Sequence, residues 1–297
     1  MFNGSMVALV TPMQPDGSID KKALHDLVEW HIASKTDALV VTGTTGEGST
    51  LTTAEHFDLI SSVVSQAENR IPIIAGTGSN STQHTIELTE NARKARANAA
   101  LIVTPYYNKP TQAGLYEHYK TVAEKVTLPI ILYNVPSRTA CDILPETVEN
   151  LSKINTIVGI KEATGKVDRA IEIIQRCGKE FIVYSGDDFT AYELMLNGAK
   201  GAISVTANVA PQKMVEFCQA ALSGNKSLAN KLNSELMPLH KALFLETNPI
   251  PTKWALYEMG LIPSGIRLPL LPLDAKYRDE LKTVLHEMGM LREKTLI

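Results

Sequence analysis

The chain is poor in cysteine, in net charge and in long apolar runs, and each shortage argues against a class of protein. Its three cysteines are far apart and never form a Cys-x-x-Cys pair, which is typical of reduced thiols rather than of a disulfide framework. The formal net charge of −3 provides no broad basic surface for nucleic acid or anionic lipid. No apolar run approaches the ~20 residues that span a membrane. We therefore expect neither nucleic acid nor a membrane as partner.

Several targeting and cofactor motifs are also missing. Residues 1–5 carry no charged segment followed by an apolar core, so we recognise no secretory signal and expect a cytoplasmic location. The seven histidines show no His-Glu-x-x-His or similar spacing, so we expect no metal site. The glycine-rich segment 42–48 lacks the lysine of a nucleotide-binding P-loop. These absences disfavour metal and nucleotide chemistry.

What the sequence does contain is a regular series of short apolar runs. Eight of them lie at residues 6–10, 38–41, 72–75, 100–103, 129–133, 157–161, 181–184 and 201–205. Their spacing of roughly 20 to 35 residues is that of a βα unit. Amphipathic helical patterns lie between them, such as the shared face of Leu24, Leu27 and Val28. This alternation predicts an α/β protein, a closed (β/α)8 TIM barrel, with a doubly wound open sheet as the alternative.

The last third of the chain follows a different pattern. Residues 226–245, 250–260 and 275–289 read as helices, and prolines punctuate the segments around them. No flexible linker or low-complexity tract precedes these helices. We expect residues 1–224 to form the catalytic barrel and residues 225–297 to form a helical extension packed on it.

Local signals predict where some helices begin or end. Residues 52–55 have the form of a capping box, Pro145 suits the first turn of a helix, and Gly198 suits a helix end. Asp187 and Asp188 follow the seventh apolar run. We interpret them as caps of the next helix rather than as metal ligands.

The sixth apolar run ends in a lysine, Lys161. Active sites of such barrels lie at the carboxyl ends of the strands. Burial disfavours the charged ammonium, so a lysine held there can attack a carbonyl and form a Schiff base. The fifth run ends at Tyr133, and neighbouring strands would place its phenol beside the amine, where the two can share protons. A lysine that extends its head into solvent is the alternative.

Other predicted strand ends supply polar groups. In the segment 42–48, exposed amides and the hydroxyls of Thr44 and Thr45 suit a carboxylate, although an ordinary glycine-rich turn would look the same. Arg138 offers a planar fork for a substrate carboxylate, unless it is a plain surface arginine.

Two further segments are candidates for the edge of the site. Tyr106 and Tyr107 lie on a proline-containing loop after the fourth run, where they suit an interface, a site wall or plain packing. Residues 248–251 form a rigid polar turn that can bring the extension near the barrel mouth.

Taken together, three segments resemble the dihydrodipicolinate synthase family of lysine-Schiff-base barrels. They are residues 43–47 (GTTGE), 133–138 (YNVPSR) and 159–165 (GIKEATG). The likeness covers nearly the whole chain, including residues 106–108, 185–188, 203–208 and 248–251. It implies condensation of pyruvate with L-aspartate-4-semialdehyde on the diaminopimelate route to L-lysine, without metal or organic cofactor.

The resemblance also implies a role for each site residue. Lys161 would form the Schiff base with pyruvate. Tyr133 would shuttle protons through Thr44 and a Tyr107 from the neighbouring subunit, in a homo-oligomer expected to be a tetramer built as a dimer of dimers. Arg138 would hold the semialdehyde carboxylate. The implied substrate-binding set is Thr45, Arg138, Gly186, Ile203 and Asn248.

Two kinds of rival remain. N-acetylneuraminate lyase and other pyruvate-dependent class I aldolases, such as those for 2-keto-3-deoxy sugar acids, share the lysine chemistry. The lyase usually has Ser-Thr where this chain has Thr44 and Thr45, and it lacks an arginine at position 138. A non-catalytic binder of small acids would not need both Lys161 and Tyr133.

In family members that L-lysine inhibits, an allosteric pocket lies at the subunit interface. The corresponding positions here are Ser49, His56, Asn80, His84 and Tyr106. Inhibited relatives commonly have glutamate where this chain has His84, and histidine where it has Thr53. Since the ligand carries two ammonium groups, we predict that lysine inhibits weakly or not at all.

Overall fold

The computed structural model describes residues 2–291, so residues 292–297 of the predicted extension lie outside the described residues. Within that range the strands are β1 (Gly4–Ala8), β2 (Ala38–Val41), β3 (Ile73–Gly76), β4 (Ala99–Val103), β5 (Ile130–Asn134), β6 (Ile157–Glu162), β7 (Ile182–Ser185) and β8 (Gly201–Ser204). All pair in parallel, each with the next, and Met6 of β1 lies opposite both Ala38 of β2 and Ile203 of β8. The predicted (β/α)8 barrel is therefore confirmed.

Helices alternate with the strands along the chain. Those of the barrel are α1 (Lys21–Ala33), α2 (Thr53–Ala67), α3 (Thr82–Lys94), α4 (Gln112–Lys125), α5 (Pro136–Thr139), α6 (Pro145–Leu151), α7 (Val167–Cys177), α8 (Ala191–Leu196) and α9 (Pro211–Leu222). The helices that follow are α10 (Lys226–Ala242), α11 (Ile250–Glu258) and α12 (Ala275–Glu287). Among residues 2–291, no helix combines the length and apolar character needed to cross a bilayer.

The sequence signals for helix ends are confirmed at three places. Thr52 Oγ1 accepts a hydrogen bond from the Glu55 amide at 3.2 Å, and the Glu55 carboxylate accepts one from the Thr52 amide at 2.9 Å. This reciprocal pair is the capping box that begins α2. Pro145 is the first residue of α6, and Gly198, just after α8, has a φ of 111° that favours glycine.

The predicted role of Asp188 as a cap of α8 is wrong, and Asp187 caps only the turn before that helix, where it accepts a hydrogen bond from the Phe189 amide at 3.1 Å. That helix begins only at Ala191, and no side chain caps it. Asp188 Oδ2 instead accepts hydrogen bonds from the amides of Val205, at 3.0 Å, and Thr206, at 2.9 Å. The carboxylate thus ties the chain after β7 to the chain after β8, because these two segments lie side by side at the barrel mouth.

Side chains along the strands alternate between the barrel interior and the layer beneath the helices. The interior cluster includes Met6, Ala8, Ala38, Val40, Ile74, Ala99, Leu101, Ile131, Tyr133, Ile182, Tyr184 and Ile203. In β6, Ile160 packs in the outer layer, whereas Lys161 is turned inward. The alternation therefore aims the lysine at the open end of the barrel.

Among the C-terminal helices, α10 packs on the barrel helices and carries α12. Asn225 caps α10 by accepting a hydrogen bond from the Leu228 amide at 3.2 Å, directly after Gly224 with its φ of 78°. α10 contacts α8 and α9, and α12 contacts α10 and α11. The division into residues 1–224 and 225–297 stays a prediction.

Candidate active site

A cavity of ≈ 520 Å³ opens at the carboxyl ends of the strands. Its lining includes seven predicted site residues: Thr44, Thr45, Tyr133, Arg138, Lys161, Gly186 and Asn248. They come from segments after β2, β5 and β7, from β5 and β6 themselves, and from the turn before α11. Parallel strands closed in a barrel collect their carboxyl ends on one face, which explains why residues so distant in sequence meet here.

Lys161 lies opposite Tyr133 in the register between β5 and β6. The lysine is only 5% exposed, and its Nζ lies 4.3 Å from the centroid of the Tyr133 ring. Nζ therefore lies over the face of the ring, at the distance of a cation–π contact. The two side chains are neighbours, as the sequence predicts, while proton sharing with the phenol oxygen stays a prediction.

Gly186 makes room for the stem of Lys161. A Cβ atom at position 186 would lie 2.9 Å from both Cγ and Cε of the lysine, and 2.7 Å from Cβ of Ala163. Real Cβ atoms do not come so close to carbon without a shift of one partner. The glycine is thus required by the path of the lysine side chain.

Within residues 2–291 two lysines are buried, and they have opposite surroundings. Lys253 of α11 pairs with Glu47, whose other oxygen accepts a hydrogen bond from the Arg267 amide at 2.9 Å. Burial lowers the pKa of Lys253, and the Glu47 carboxylate opposes that shift. Lys161 instead faces the cavity, and no carboxylate in residues 2–291 forms an ion pair with it. Of the two buried lysines, Lys161 is the one that lines the cavity at the strand ends.

The extension supplies part of the cavity wall through Asn248. Its Nδ2 donates a 2.9 Å hydrogen bond to Thr45 Oγ1. Its backbone carbonyl oxygen accepts one from Arg138 Nη2 at 3.3 Å. Thr252, in the first turn of α11, holds the amide from behind by donating to Oδ1 at 3.2 Å. The prediction that residues 248–251 bring the extension to the barrel mouth is confirmed.

Arg138 reaches the cavity from a helix that the sequence analysis did not anticipate. α5 is only four residues long and begins at Pro136, whose fixed φ suits the first helical position. It turns the chain directly after β5 and leaves the guanidinium in the cavity wall, beside Asn248.

Two predicted site residues do not line this cavity. Ile203 is 1% exposed within the barrel interior, and it is Val205, two residues further on, that lines the cavity. Tyr107 is 88% exposed and has a φ of 77°, a left-handed conformation uncommon for residues other than glycine. Its ring therefore projects away from the site of its own chain.

Acidic side chains also lie at the cavity mouth, and the sequence analysis missed them as site residues. Asp187 and Glu246 both line the cavity, and burial raises the pKa of Asp187. Asp187 carries a signal, its place directly after a strand end, which the sequence analysis interpreted as a helix cap, whereas Glu246 carries no such signal. Within residues 2–291, no cluster of three or more His, Cys, Asp or Glu side chains is arranged to hold a metal ion.

A second cavity of ≈ 430 Å³ lies beside the first and shares Thr44, Tyr133 and Arg138 with it. Four residues of the candidate allosteric set line it: Ser49, His56, His84 and Tyr106. Asn80 is not part of the lining, and its carbonyl oxygen accepts a 2.8 Å hydrogen bond from Asn108. Among residues 2–291, none of those that line this cavity is an aspartate or a glutamate.

The two histidines of this cavity differ in burial. His56 is 3% exposed, its Nε2 lies 2.7 Å from the Gly76 carbonyl oxygen, and burial lowers its pKa. A neutral ring that donates from Nε2 leaves Nδ1 as an acceptor. His84 is more exposed, and its Nδ1 lies 3.2 Å from a carboxylate oxygen of Glu87, one turn further along α3.

Comparison with known proteins covers almost the whole chain. The model of the dihydrodipicolinate synthetase family matches residues 1–288. The 4-hydroxy-tetrahydrodipicolinate synthase of Stutzerimonas stutzeri is 58% identical over 291 residues, which are 98% of this chain and 100% of that protein. A chloride-inhibited dihydrodipicolinate synthase of Acinetobacter baumannii, solved with pyruvate, is 55% identical with a TM-score of 0.97 over 98% of this chain and 100% of that one. The Aquifex aeolicus dihydrodipicolinate synthase is 46% identical, also with a TM-score of 0.97, over 99% of this chain and 100% of that one. This chain therefore belongs to the dihydrodipicolinate synthetase family.

Proposed function

We propose that this chain is a 4-hydroxy-tetrahydrodipicolinate synthase, a lyase that condenses pyruvate with L-aspartate-4-semialdehyde on the diaminopimelate route to L-lysine. The observation that carries the proposal is the buried amine of Lys161, which faces the cavity beside Tyr133 without a carboxylate partner in residues 2–291. The full-length similarity to synthases of that name supports the choice of substrates.

The first half of the reaction activates pyruvate. The neutral amine of Lys161 adds to the ketone carbon, and loss of water gives an iminium ion. A base removes a methyl proton next to the iminium carbon, the electron pair of that C–H bond forms a C=C bond, and the C=N π electrons return to nitrogen, which gives an enamine. The carbon that was the methyl group has then become a nucleophile.

The second half joins the two substrates and releases the enzyme. The enamine carbon attacks the aldehyde carbon of the semialdehyde, and the resulting alkoxide takes up a proton. The amino group of the same substrate then adds to the regenerated iminium carbon. The ring closes as the nitrogen of Lys161 leaves, so the lysine returns unchanged.

The remaining site residues hold and protonate these species. Tyr133, Thr44 and the Tyr107 of a neighbouring subunit form the proton relay. The pyruvate carboxylate binds at Thr45, whose hydroxyl Asn248 already orients at 2.9 Å. The backbone at Ile203 and the open space at Gly186 complete the substrate-binding set.

The second substrate is held by its carboxylate at Arg138. The guanidinium lines the cavity and is anchored to the Asn248 carbonyl oxygen at 3.3 Å. Its planar fork matches a carboxylate through two parallel hydrogen bonds. This contact favours the semialdehyde over the sugar aldehydes that rival aldolases use.

The proposal includes a homo-oligomer, a tetramer arranged as a dimer of dimers. It is supported by Tyr107, whose 88% exposed ring cannot reach the cavity of its own chain in this conformation. A large, solvent-exposed aromatic side chain on a residue with positive φ is well suited to enter the site of a second copy.

A cytoplasmic location is also part of the proposal. All three cysteines, Cys141, Cys177 and Cys218, are free. Free thiols suit a reducing compartment, where disulfides are rare.

Borohydride trapping tests the central step. The native protein is incubated with pyruvate, reduced with borohydride and digested, and the modified peptide is identified by mass spectrometry. We expect the adduct on Lys161, none on the ion-paired Lys253, and no adduct at all in Lys161→Arg, because a guanidinium stays protonated. An adduct elsewhere, or none in the native protein, refutes the mechanism.

The aldehyde partner separates the candidate functions. After trapping has succeeded, turnover is measured with aspartate semialdehyde and, in parallel, with the sugar aldehydes of N-acetylneuraminate lyase and of 2-keto-3-deoxy sugar acid aldolases. We expect turnover with the semialdehyde. Turnover only with a sugar aldehyde would assign the chain to the rival aldolases, and trapping without turnover of any aldehyde would favour a binder.

A further inference from the structure

The residues that follow Tyr133 and Lys161 face away from the cavity. In the register between β5 and β6, Asn134 lies opposite Glu162, one step beyond the pair of Tyr133 and Lys161. Asn134 is 0% exposed and Glu162 is 2% exposed, so both lie in the layer between the strands and the surrounding helices. A carboxylate in such a layer is costly unless donors surround it.

Glu162 accepts two hydrogen bonds and lies beside one positive charge. Its Oε1 accepts a hydrogen bond from the Thr164 amide at 2.8 Å, and its Oε2 accepts one from Asn134 Nδ2 at 3.2 Å. Nε of Arg169 lies 3.5 Å from Oε2 and adds a positive charge. Burial raises the pKa of Glu162, and these hydrogen bonds oppose that shift.

The same contacts extend to the segment between α5 and α6 and to α7. Asn134 Nδ2 donates to Asp142 Oδ1 at 2.9 Å, and its Oδ1 accepts from the Ile143 amide at 3.2 Å. Arg169, in the first turn of α7, holds both oxygens of Asp142 with two guanidinium nitrogens, at 2.9 and 3.1 Å. We call Asn134, Asp142, Glu162 and Arg169 the outer clamp.

The outer clamp sits at the carboxyl end of the strand pair. The register between β5 and β6 shifts between Ile130 and Ile131 and is regular from there to Asn134 opposite Glu162. The backbone bond from the Ala163 amide to the Asn134 carbonyl oxygen, at 3.0 Å, closes this pairing, and the side chains of the clamp hold it from the outer face. Glu162 and Lys161 are consecutive residues with side chains on opposite faces of β6, so a displacement of the backbone at Glu162 also displaces Lys161.

We propose that the outer clamp positions the amine of Lys161 against Tyr133 and thereby sets the rate of Schiff-base formation, without touching the substrate. The proposal rests on the proposed function, since it assigns a role to groups behind the same lysine. Glu162 and Asn134 are positioning residues. They act through Lys161 and Tyr133, their immediate neighbours on the two strands.

The alternative is a purely structural network that stabilises the fold and leaves the chemistry alone. The two readings differ in kinetics. The Thr44 and Thr45 segment lies after β2, on the far side of the barrel from β6, so loosening the clamp leaves pyruvate binding there unchanged. A positioning role therefore lowers the maximal rate of adduct formation with little change in the pyruvate concentration that gives half that rate.

The test is the single-turnover rate of borohydride-trapped pyruvate adduct, measured against pyruvate concentration. In Glu162→Gln the side chain keeps its shape, but its new NH2 group meets a donor in either orientation: the Thr164 amide at one position or Asn134 Nδ2 at the other. We expect the maximal rate to fall roughly ten- to a hundredfold, since misplacing a reacting group by about 1 Å can cost ~10²-fold. The half-saturating pyruvate concentration should change by less than about threefold, because its binding contacts are intact.

The matched control is Asp37→Asn. Asp37 also uses its carboxylate to hold a backbone amide, that of Ser5, at 2.7 Å, but it does so at the amino end of the barrel. We expect it to lower the melting temperature and to leave the trapping rate within about twofold of native. An equal loss of rate in Asp37→Asn and Glu162→Gln would overturn the proposal.

A second variant decides the question if Glu162→Gln fails to fold. Arg169→Lys keeps the positive charge at the partly exposed end of the clamp but removes the two-pronged grip on Asp142. We expect the maximal trapping rate to fall about threefold or more, while the half-saturating pyruvate concentration stays at the native value. A native rate in this variant, or in folded Glu162→Gln, overturns the positioning role. Failure of the native protein to form any adduct overturns the proposed function itself, and is seen before a variant is made.

Discussion

Asn248 and Thr45 are hydrogen-bonded at 2.9 Å although 203 positions separate them in the chain. The bond joins the C-terminal extension to the loop after β2, in the wall of the cavity that Lys161 lines. A hydroxyl that accepts from Asn248 must direct its own proton elsewhere, and the cavity is the open direction. The extension thus sets the orientation of a group that we place against the pyruvate carboxylate.

Asn248→Ala tests that orientation. A typical hydrogen bond contributes about 0.5–1.5 kcal/mol, so we expect the half-saturating pyruvate concentration to rise about two- to tenfold. Asn225→Ala is the control, because Asn225 caps α10 in the same extension and its loss should reduce stability alone. Steady-state kinetics against pyruvate gives the answer, and native half-saturation in Asn248→Ala would argue against the role of Thr45.

Arg138→Ala should separate the two substrates. Removing the guanidinium takes away a charge-assisted contact of about 1.5–3 kcal/mol, so kcat/KM for the semialdehyde should fall roughly ten- to a hundredfold or more. Trapping with pyruvate should stay close to native. Arg138→Lys keeps the charge without the fork and should recover only part of the loss. Near-normal use of the semialdehyde by Arg138→Ala would remove this residue from the site.

Gly186→Ala should displace the reacting lysine. The new methyl group would lie 2.9 Å from Cγ and Cε of Lys161, so the flexible stem must move. We expect adduct formation with pyruvate to slow roughly ten- to a hundredfold. Gly114→Ala, in the first turn of α4 and away from the cavity, is the matched control and should trap pyruvate at the native rate. Equal rates in the two variants would show that the cavity accepts the methyl group.

Tyr107→Phe tests whether the active site is shared between two subunits. The variant keeps the ring but loses the hydroxyl, so we expect the pyruvate adduct to form while turnover falls by about 10²-fold or more. Tyr106→Phe is the neighbouring control. Mixing Tyr107→Phe with Lys161→Arg and allowing the subunits to exchange should restore activity, because mixed assemblies contain sites with both native residues. A fully active monomer in sedimentation velocity would contradict the assembly.

Inhibition by L-lysine should be weak. The lining of the second cavity within residues 2–291 offers no carboxylate to the two ammonium groups of the ligand, and His84 already lies 3.2 Å from Glu87. A carboxylate partner contributes about 1.5–3 kcal/mol, so His84→Glu should strengthen inhibition roughly ten- to a hundredfold, whereas His84→Gln should not. Half-inhibition of the native protein at sub-millimolar lysine would contradict the prediction.

The strand ends could be read from the sequence because strands buried on both faces appear as apolar runs and end at polar residues. The sequence alone therefore predicts that Lys161 lies beside Tyr133. The pair of Glu47 and Lys253 could not be read, because its members are 206 positions apart and each looks like an ordinary surface charge. The contacts of Asp188 could not be predicted for a related reason. Its hydrogen-bond donors, such as the Val205 amide, follow β8 and do not belong to the next helix.

The exposure of Tyr107 shows a further limit. A tyrosine on a loop is compatible with a wall, an interface or a core, and only its φ of 77° and its open surroundings separate these cases. Backbone conformation of this kind depends on the whole loop, including the 3.4 Å contact of its amide with the Thr139 carbonyl oxygen. No local pattern encodes such a contact.

The late position of Asn248 and Lys253 in the chain has a consequence for synthesis on the ribosome. A nascent polypeptide that has emerged through residue 224 contains every strand of the barrel and the reactive lysine. Its Glu47, however, still lacks the ammonium of Lys253, and burying a carboxylate without its partner costs about 3–5 kcal/mol. The ion pair that holds the loop after β2 can therefore form only after α11 is made. At about 5–20 residues per second, translation needs seconds to add the residues between position 224 and Lys253.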